Sequence, residues 1–143
     1  MSDPGHGPPV DSLDAVCKDY KDCQKCARRT HGDMCIAEFV EYKYGESNND
    51  KICKDGAGSC SRALCECDLA YAKTHVSHTY VFNTDYHLFW STLPNGWDPE
   101  YNCPRIGGGL SDPQCCGNQD GAYVLFNAVN HVCCSGEVKS GSC

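Results

Sequence analysis

The chain has 143 residues, a formal net charge of −7 and fourteen cysteines. Its length fits one domain, or one domain with a small additional module. The sequence contains no apolar run long enough to cross a membrane as a helix. Because an acidic surface repels nucleic acid and anionic membranes, we expect neither nucleic-acid binding nor membrane binding.

The cysteines indicate the class of protein. Fourteen cysteines among 143 residues is a density typical of secreted, disulfide-held proteins, and the even number allows seven disulfides. Cys23-Gln24-Lys25-Cys26 is the only Cys-x-x-Cys segment, and no second pair follows it at zinc-site spacing. We therefore predict an extracellular protein with disulfides and no metal site. The first residues lack the basic and apolar segments of a signal peptide, so we expect a mature or trimmed form.

The first predicted helix begins near Asp11. Asp at this place can cap a helix, and acidic residues suit the positive end of the helix dipole. Apolar and cysteine side chains then recur at helical spacing at Leu13, Val16, Cys17, Tyr20 and Cys23. The segment His31-Gly32-Asp33 interrupts this pattern and ends the predicted helix.

The middle of the chain predicts a short strand and a second helix. Weak alternation over residues 39–44 favours a strand, and residues 45–50 read as a turn. From Cys60 to about Tyr80, apolar positions such as Leu64 and Leu69 favour a helix, although its end is obscured by β-branched residues.

The composition changes near residue 91, where we place a boundary. Loop signals follow at residues 94–96 and at Gly107-Gly108-Gly109, and then come two adjacent cysteine pairs, Cys115-Cys116 and Cys133-Cys134. Since adjacent cysteines do not readily bond to each other, each should bond to a different partner. The predicted result is a small, rigid, loop-rich module over residues 91–143.

Two segments resemble secreted phospholipase A2. The residues Pro9 to Cys23 follow the family pattern Pro-Val-Asp-x-Leu-Asp-x-Cys-Cys-x-x-His-Asp-x-Cys, and Cys53 to Asp68 follows its closing run of cysteines, which ends Cys-x-Cys-Asp. The resemblance covers about residues 5–88. It implies a domain over residues 5–90 that lacks the family's N-terminal helix.

The resemblance also implies a fold and part of the disulfide pattern. The expected fold is mainly α and disulfide-rich, a pair of antiparallel helices with a short β-wing. The implied disulfides are Cys23–Cys67, Cys35–Cys60 and Cys53–Cys65. The resemblance assigns no partners to the other cysteines, which are Cys17, Cys26, Cys103, Cys115, Cys116, Cys133, Cys134 and Cys143, although we expect Cys17 to reach the C-terminal module.

The positions that correspond to the family's catalytic residues are changed. Tyr20 stands where the family has its catalytic histidine, Lys21 stands where it has its calcium-binding aspartate, and Asp68 corresponds to the aspartate that orients the histidine. A phenol is a poor base at neutral pH, and an ammonium group opposes a divalent cation. We therefore expect no catalytic residues and no enzyme activity, with Tyr20 and Lys21 donating hydrogen bonds to Asp68.

An active enzyme is the alternative. Thr30-His31-Gly32-Asp33 mimics the family's catalytic segment with one inserted glycine, so His31 could be the base and Asp33 the calcium ligand of a calcium-dependent phospholipase A2. On a helix that insertion rotates Asp33 by about 100° from the family geometry. Elsewhere, His75 and His78 have helical spacing that could contact a metal, but surface or packing roles are commoner for such pairs.

The C-terminal module leads to the functional prediction. Its Cys-Cys-Gly pattern resembles galaxin-like modules of extracellular-matrix and biomineral proteins. We predict a non-enzymatic structural or interaction protein of the extracellular matrix that binds an extracellular protein or itself. The alternative is a toxin-like, non-catalytic phospholipase A2 homologue that acts on membranes or a receptor. No cofactor is expected, and weak calcium binding at the acidic surface is left open.

An aromatic-rich stretch follows the second predicted helix. It contains Tyr80, Phe82, Tyr86, Phe89, Trp90 and Trp97. We expect these side chains to pack in the core or between modules. If they were exposed instead, they would form a protein-binding patch.

Overall fold

A computed structural model describes residues 7–104 and 110–143. The predicted loop at Gly107-Gly108-Gly109 and the first two residues of the predicted 5–90 domain lie outside this description. The described chain contains two long helices, one short helix, three two-stranded antiparallel sheets and two 3-10 turns, at Thr79–Val81 and Thr84–Tyr86.

Helix α1 spans Ser12–His31 and begins at the predicted cap. The Asp11 carboxylate accepts a hydrogen bond from the Asp14 backbone N–H at 2.8 Å, which satisfies one of the unpaired donors in the first turn. The helix ends at Gly32, whose φ of 100° is a conformation that favours glycine. The interruption predicted at residues 31–33 is therefore the true end of the helix.

A β-hairpin follows α1, but later in the chain than predicted. Strand β1 is Tyr44–Ser47 and strand β2 is Asp50–Cys53. The predicted strand over residues 39–44 is wrong, apart from its last residue, and most of the predicted turn is strand. The turn itself is Asn48-Asn49, both with positive φ, as the twist of a two-residue hairpin requires.

Helix α2 spans Cys60–Val76, several residues shorter than predicted, and is capped by Ser59. Cys23 is bonded to Cys67, and Tyr20 bonds to Asp68. Cys17 lies beside Tyr71. Later residues of α1 therefore meet earlier residues of α2, so the two helices are antiparallel.

The C-terminal part contains two β-hairpins, which the sequence did not predict, within a region whose other described residues are mainly loops and turns. Strand β3, Pro113–Cys116, pairs with β4, Val124–Asn127. Strand β5, His131–Cys134, pairs with β6, Glu137–Ser140. Each adjacent cysteine pair lies on a strand, where successive side chains point to opposite faces and reach different partners.

Six disulfides hold the described chain together. Cys23–Cys67, Cys35–Cys60 and Cys53–Cys65 are the pairs that the phospholipase resemblance implies. Cys116–Cys133 and Cys134–Cys143 fasten the C-terminal hairpins, and Cys26–Cys115 joins α1 to β3. The last bond crosses the boundary that we predicted near residue 91; the division into two domains stays a prediction.

The hydrophobic core is small and contains many cystine sulfurs. Its central cluster is Ala27, Cys35, Ala63 and Leu64, against which Val40, Tyr42 and Tyr123 pack. Disulfides are a common means of stabilisation for a chain with little apolar burial. Contrary to our expectation of packing, five side chains of the aromatic stretch are exposed, namely Tyr80, Phe82, Tyr86, Phe89 and Trp90. Trp97 is partly buried and packs edge-on against Tyr86.

Helix α3 is one turn, Pro99–Asn102, capped by Asp98. No helix among residues 7–104 and 110–143 combines the length and apolar character of a transmembrane span.

Candidate functional site

A cluster of polar side chains lies between α1 and α2, centred on Asp68. Tyr20 of α1 donates its phenolic hydrogen to Asp68 Oδ1 at 2.8 Å. Tyr42, in the segment before β1, donates to Asp68 Oδ2 at 2.5 Å. Each carboxylate oxygen therefore accepts a phenolic hydrogen bond. We call Tyr20, Gln24, Tyr42 and Asp68 the Asp68 cluster.

The Tyr20 hydroxyl uses both its donor and an acceptor site within this cluster. Gln24, one turn later on α1, donates from Nε2 to Tyr20 Oη at 2.8 Å. Burial raises the pKa of Tyr20, and its hydrogen bond to the Asp68 carboxylate raises it further. The phenol is therefore protonated at neutral pH and has little capacity to accept a proton from water.

Tyr42 and Gln24 are the members of the cluster that sequence analysis missed. We expected Lys21 to be the second donor to Asp68, but the second hydrogen bond comes from Tyr42. The hydrogen bond to Asp68, followed by burial, raises the pKa of Tyr42 to about 12. The segment between α1 and β1 carries no periodic pattern that places Tyr42 near Asp68, so only the three-dimensional fold identifies it.

A small cavity of about 230 Å³ borders the cluster and is closed on one side by β4. Its walls include Tyr20, Tyr71 and Tyr123. The rings of Tyr20 and Tyr71 lie 4.7 Å apart between centroids, and burial raises the pKa of Tyr71. Asp19 also lines this cavity. Burial raises the pKa of the Asp19 carboxyl, although the nearby positive charge of Lys18 lowers it in part. No cationic side chain lines this cavity among the described residues.

Lys21 lies at a different and larger cavity. This cavity, about 710 Å³, is formed by the 7–11 loop, α1, the segment from Phe82 to Cys103, and β4. Four basic residues of α1 line one wall: Lys18, Lys21, Lys25 and Arg29. Phe82, Tyr86 and Trp97 supply aromatic surface to it. The structure thus joins Tyr20 with Asp68 but directs Lys21 to a separate cavity.

A buried carboxylate compensates part of the charge on that wall. Asp22 is only 6% exposed and forms ion pairs with Lys18 and, at 3.1 Å, with Lys25. Arg29 donates to the Pro113 carbonyl at 3.3 Å, which connects α1 to β3. The basic wall therefore also holds the structure together.

The residues of the alternative enzyme site have separate partners. His31 is the last residue of α1, and its Nε2 lies 3.4 Å from the Tyr123 hydroxyl. Asp33 pairs with Arg28 at 3.2 Å, with 90% of its side chain exposed. Neither residue reaches the Asp68 cluster through a contact described in this structure.

The described residues offer few candidates for a metal site. No set of three or more His, Cys, Asp or Glu side chains converges there in a way that could hold a metal ion. Of the two histidines with helical spacing, His75 packs on Tyr71 with ring centroids 5.1 Å apart. The His78 ring nitrogen lies 2.9 Å from the Thr74 carbonyl.

Comparison with known proteins identifies relatives of this chain. It is 41% identical over 64 residues to the acidic phospholipase A2 of Micrurus dumerilii, which covers 45% of this chain and 53% of that protein. It is 34% identical over 77 residues to the basic phospholipase A2 beta-bungarotoxin A-AL4 chain of Bungarus multicinctus, covering 54% of this chain and 55% of that protein. The chain thus spans about half the length of these two relatives.

A further relative is matched over more of its length. The chain is 34% identical over 85 residues to the basic phospholipase A2 nigexine of Naja pallida, which covers 59% of this chain and 68% of that protein. A search of protein-family models finds no match. The identity and coverage with nigexine show that the chain belongs to the phospholipase A2 family.

Proposed function

We propose that this chain is a non-catalytic phospholipase A2 homologue that acts outside the cell as a structural or interaction protein. The observation that carries the proposal is the Asp68 carboxylate, which accepts hydrogen bonds from Tyr20 and Tyr42. In the family resemblance, Tyr20 takes the place of the catalytic histidine. Its phenol, already hydrogen-bonded to Asp68 and Gln24, supports a structural role.

The chemistry of the two changed positions supports the same conclusion. A general base works best with a pKa near the operating pH, and burial together with Asp68 moves the Tyr20 pKa in the opposite direction. Calcium binds carboxylate and carbonyl oxygens, whereas Lys21 places an ammonium group at the corresponding position. Loss of both base and metal ligand would leave a scaffold without hydrolytic chemistry.

The interaction part of the proposal rests on the surface. Phe89 is 81% exposed, Tyr80 is 80% exposed, and Phe82 and Trp90 are nearby exposed residues in the sequence. Exposed aromatic surface of this kind is typical of protein contact sites. The disulfides support an oxidising, extracellular location. The likeness of the C-terminal part to galaxin-like matrix modules stays a prediction, as does weak calcium binding at the acidic surface.

The solution mass of the native, non-reduced protein tests this role. Size exclusion with light scattering, with and without calcium, should show self-association that is lost in Phe89→Ser. A monomeric wild type would rule out self-assembly, and binding to another extracellular protein would then be the proposed role. Calcium-dependent hydrolysis of phospholipid by the same sample would contradict the proposal.

A toxin-like homologue is the second candidate. It is favoured by the similarity to the beta-bungarotoxin A-AL4 chain, and by Lys21 at the position of the calcium ligand in the family resemblance. The net charge of −7 disfavours action on anionic membranes. Dye release from anionic liposomes would support this candidate, and intact liposomes at micromolar protein would remove its membrane-active form.

A further inference from the structure

Two cysteines remain as thiols in a chain that otherwise forms disulfides. Cys17 and Cys103 are unpaired, and both are partly buried. All fourteen cysteines lie within the described residues, so the other twelve account for the six disulfides. In an oxidising environment, two remaining thiols in one chain are candidates for a further bond.

None of the six disulfides fastens the segment 68–114, which contains Cys103. Residues 68–114 contain no half-cystine, because the flanking bonded cysteines are Cys67 and Cys115. Cys103 is the only cysteine in this segment. Cys17 is likewise the one cysteine of α1 without a bond, since Cys23 and Cys26 are both paired.

The two thiols belong to the wall of one cavity. Both Cys17 and Cys103 line the 710 Å³ cavity. Burial raises the pKa of the Cys103 thiol, and the Asp14 carboxylate adds to the increase. Because Asp14 lies one helical turn before Cys17, this electrostatic effect places Cys103 near the first turns of α1.

The N-terminal loop fixes Cys103 from the other side. A β-carbon on Gly7 would lie 3.2 Å from the carbonyl oxygens of Cys103 and Pro104, and Gly7 has a φ of +81°. The loop that precedes α1 is therefore packed closely on the backbone of Cys103. The backbone of Cys103 thus lies against the segment that leads into α1.

We propose that Cys17 and Cys103 form a seventh disulfide that fastens the segment 68–114 to α1 across the larger cavity. The Cys17 sulfur lies 4.0 Å from the Tyr71 hydroxyl. Formation of the bond would require this sulfur to leave Tyr71 for the cavity that Cys17 and Cys103 both line. The bond would fix the aromatic segment, which lies between Cys67 and Cys103, relative to the helices.

The oxidant for this step is a small-molecule disulfide such as oxidised glutathione. One cysteine thiolate attacks a glutathione sulfur, forms a mixed disulfide and releases one glutathione thiolate. The second cysteine thiolate then attacks the protein sulfur of that mixed disulfide and releases the second glutathione thiolate. The two protons lost by the cysteines protonate the released glutathiones. Two electrons pass from the protein to glutathione.

Disulfide mapping of the wild-type protein tests the proposal directly. The full chain is equilibrated with reduced and oxidised glutathione, alkylated at acidic pH, digested without reduction and analysed by mass spectrometry. We expect a peptide pair linked through Cys17 and Cys103, with no alkylated cysteine. Alkylation of both residues, a bond between two chains, or a bond to another cysteine would each overturn the proposal.

Serine variants provide an independent measurement. Cys17→Ser and Cys103→Ser should each expose one alkylatable thiol and lower Tm by about 10 °C, as expected for loss of a disulfide in a chain of this size. The double variant should melt at about the same temperature as either single variant, because one bond is lost in all three. Unchanged Tm in both single variants, or decreases that add in the double variant, would contradict the proposed bond.

Discussion

Tyr20 donates its phenolic hydrogen to Asp68 across the interface of α1 and α2, at 2.8 Å. The same hydroxyl accepts from Gln24, and Asp68 accepts a second phenol from Tyr42. This arrangement links both long helices to the segment before β1. The cluster is therefore a structural element of the fold.

Removal of the Tyr20 hydroxyl should destabilise the fold. Tyr20→Phe leaves Asp68 with one donor fewer and Gln24 without its acceptor, so the free energy of unfolding should fall by about 1–2 kcal/mol. Denaturant unfolding of the non-reduced protein measures this change. Tyr80→Phe is the matched control, because Tyr80 is 80% exposed and its hydroxyl should contribute nothing measurable. Equal stability of both variants would contradict the structural role of the cluster.

Alkaline pH should weaken the fold through the same phenols. The pKa of Tyr42 is about 12 and that of Tyr20 is also raised, whereas the pKa of a tyrosine in an unfolded chain is about 10. Below pH 10 both states are protonated and the stabilisation is complete. Above that pH the unfolded state loses protons first, so stability should decline until the folded phenols ionise.

Absorbance at 295 nm measures this titration directly. A late phase of phenol ionisation should be reduced in Tyr20→Phe and in Tyr42→Phe, because each variant removes one phenol whose pKa is raised. A single transition near pH 10 for all eight tyrosines would show that Asp68 does not hold the two phenols in solution.

The two lysines on either side of Asp22 should be partly redundant. Asp22 is buried and pairs with both Lys18 and Lys25. Lys18→Met or Lys25→Met alone leaves one cation, so each should have a small effect. The double variant leaves a buried carboxylate without these cations and should lose about 2–3 kcal/mol, more than the two single effects together.

Lys139→Met is the control for these lysine variants. Its partner Glu137 is exposed and lies 3.9 Å away, so this substitution should leave the midpoint of unfolding unchanged. If the effects of the Lys18 and Lys25 substitutions are additive, the charge of Asp22 is compensated by other groups when both lysines are absent.

The exposed aromatic segment should affect association and not folding. Phe89→Ser and Tyr80→Ser replace side chains that are largely in solvent, so Tm should change by less than about 2 °C. If the segment is a contact site, both variants should lower self-association or capture of an extracellular partner. Leu64→Ala is the contrasting control. Leu64 lies in the core, so this substitution should strongly lower stability.

Sequence analysis predicted the helical framework because its signals are local. The Asp11 cap and the spacing of the apolar residues in α1 operate within a few residues of one another, and the end at Gly32 depends on one backbone conformation. The prediction of a strand over residues 39–44 is wrong for a related reason. Weak alternation cannot locate a hairpin, whose position depends on the Asn48-Asn49 turn and on the disulfide from Cys53 to Cys65.

The contacts that define the site depend on distant parts of the chain. Tyr42 approaches Asp68 only after the segment before β1 has folded against α2. Lys21 follows Tyr20 directly in sequence but turns to another cavity, because adjacent helical residues point about 100° apart. The exposure of the aromatic segment was likewise not predictable, since composition alone does not show which side chains the small core can bury.

Hydrolysis of phospholipid shows directly whether this chain is catalytic. The purified, disulfide-bonded wild type is incubated with mixed phospholipid micelles in millimolar calcium and in chelator, beside a catalytically active phospholipase A2 as the positive control. We predict no calcium-dependent release of fatty acid above background, and no difference between the wild type and His31→Gln. Calcium-dependent release by the wild type that His31→Gln abolishes would contradict the account and assign the base to His31.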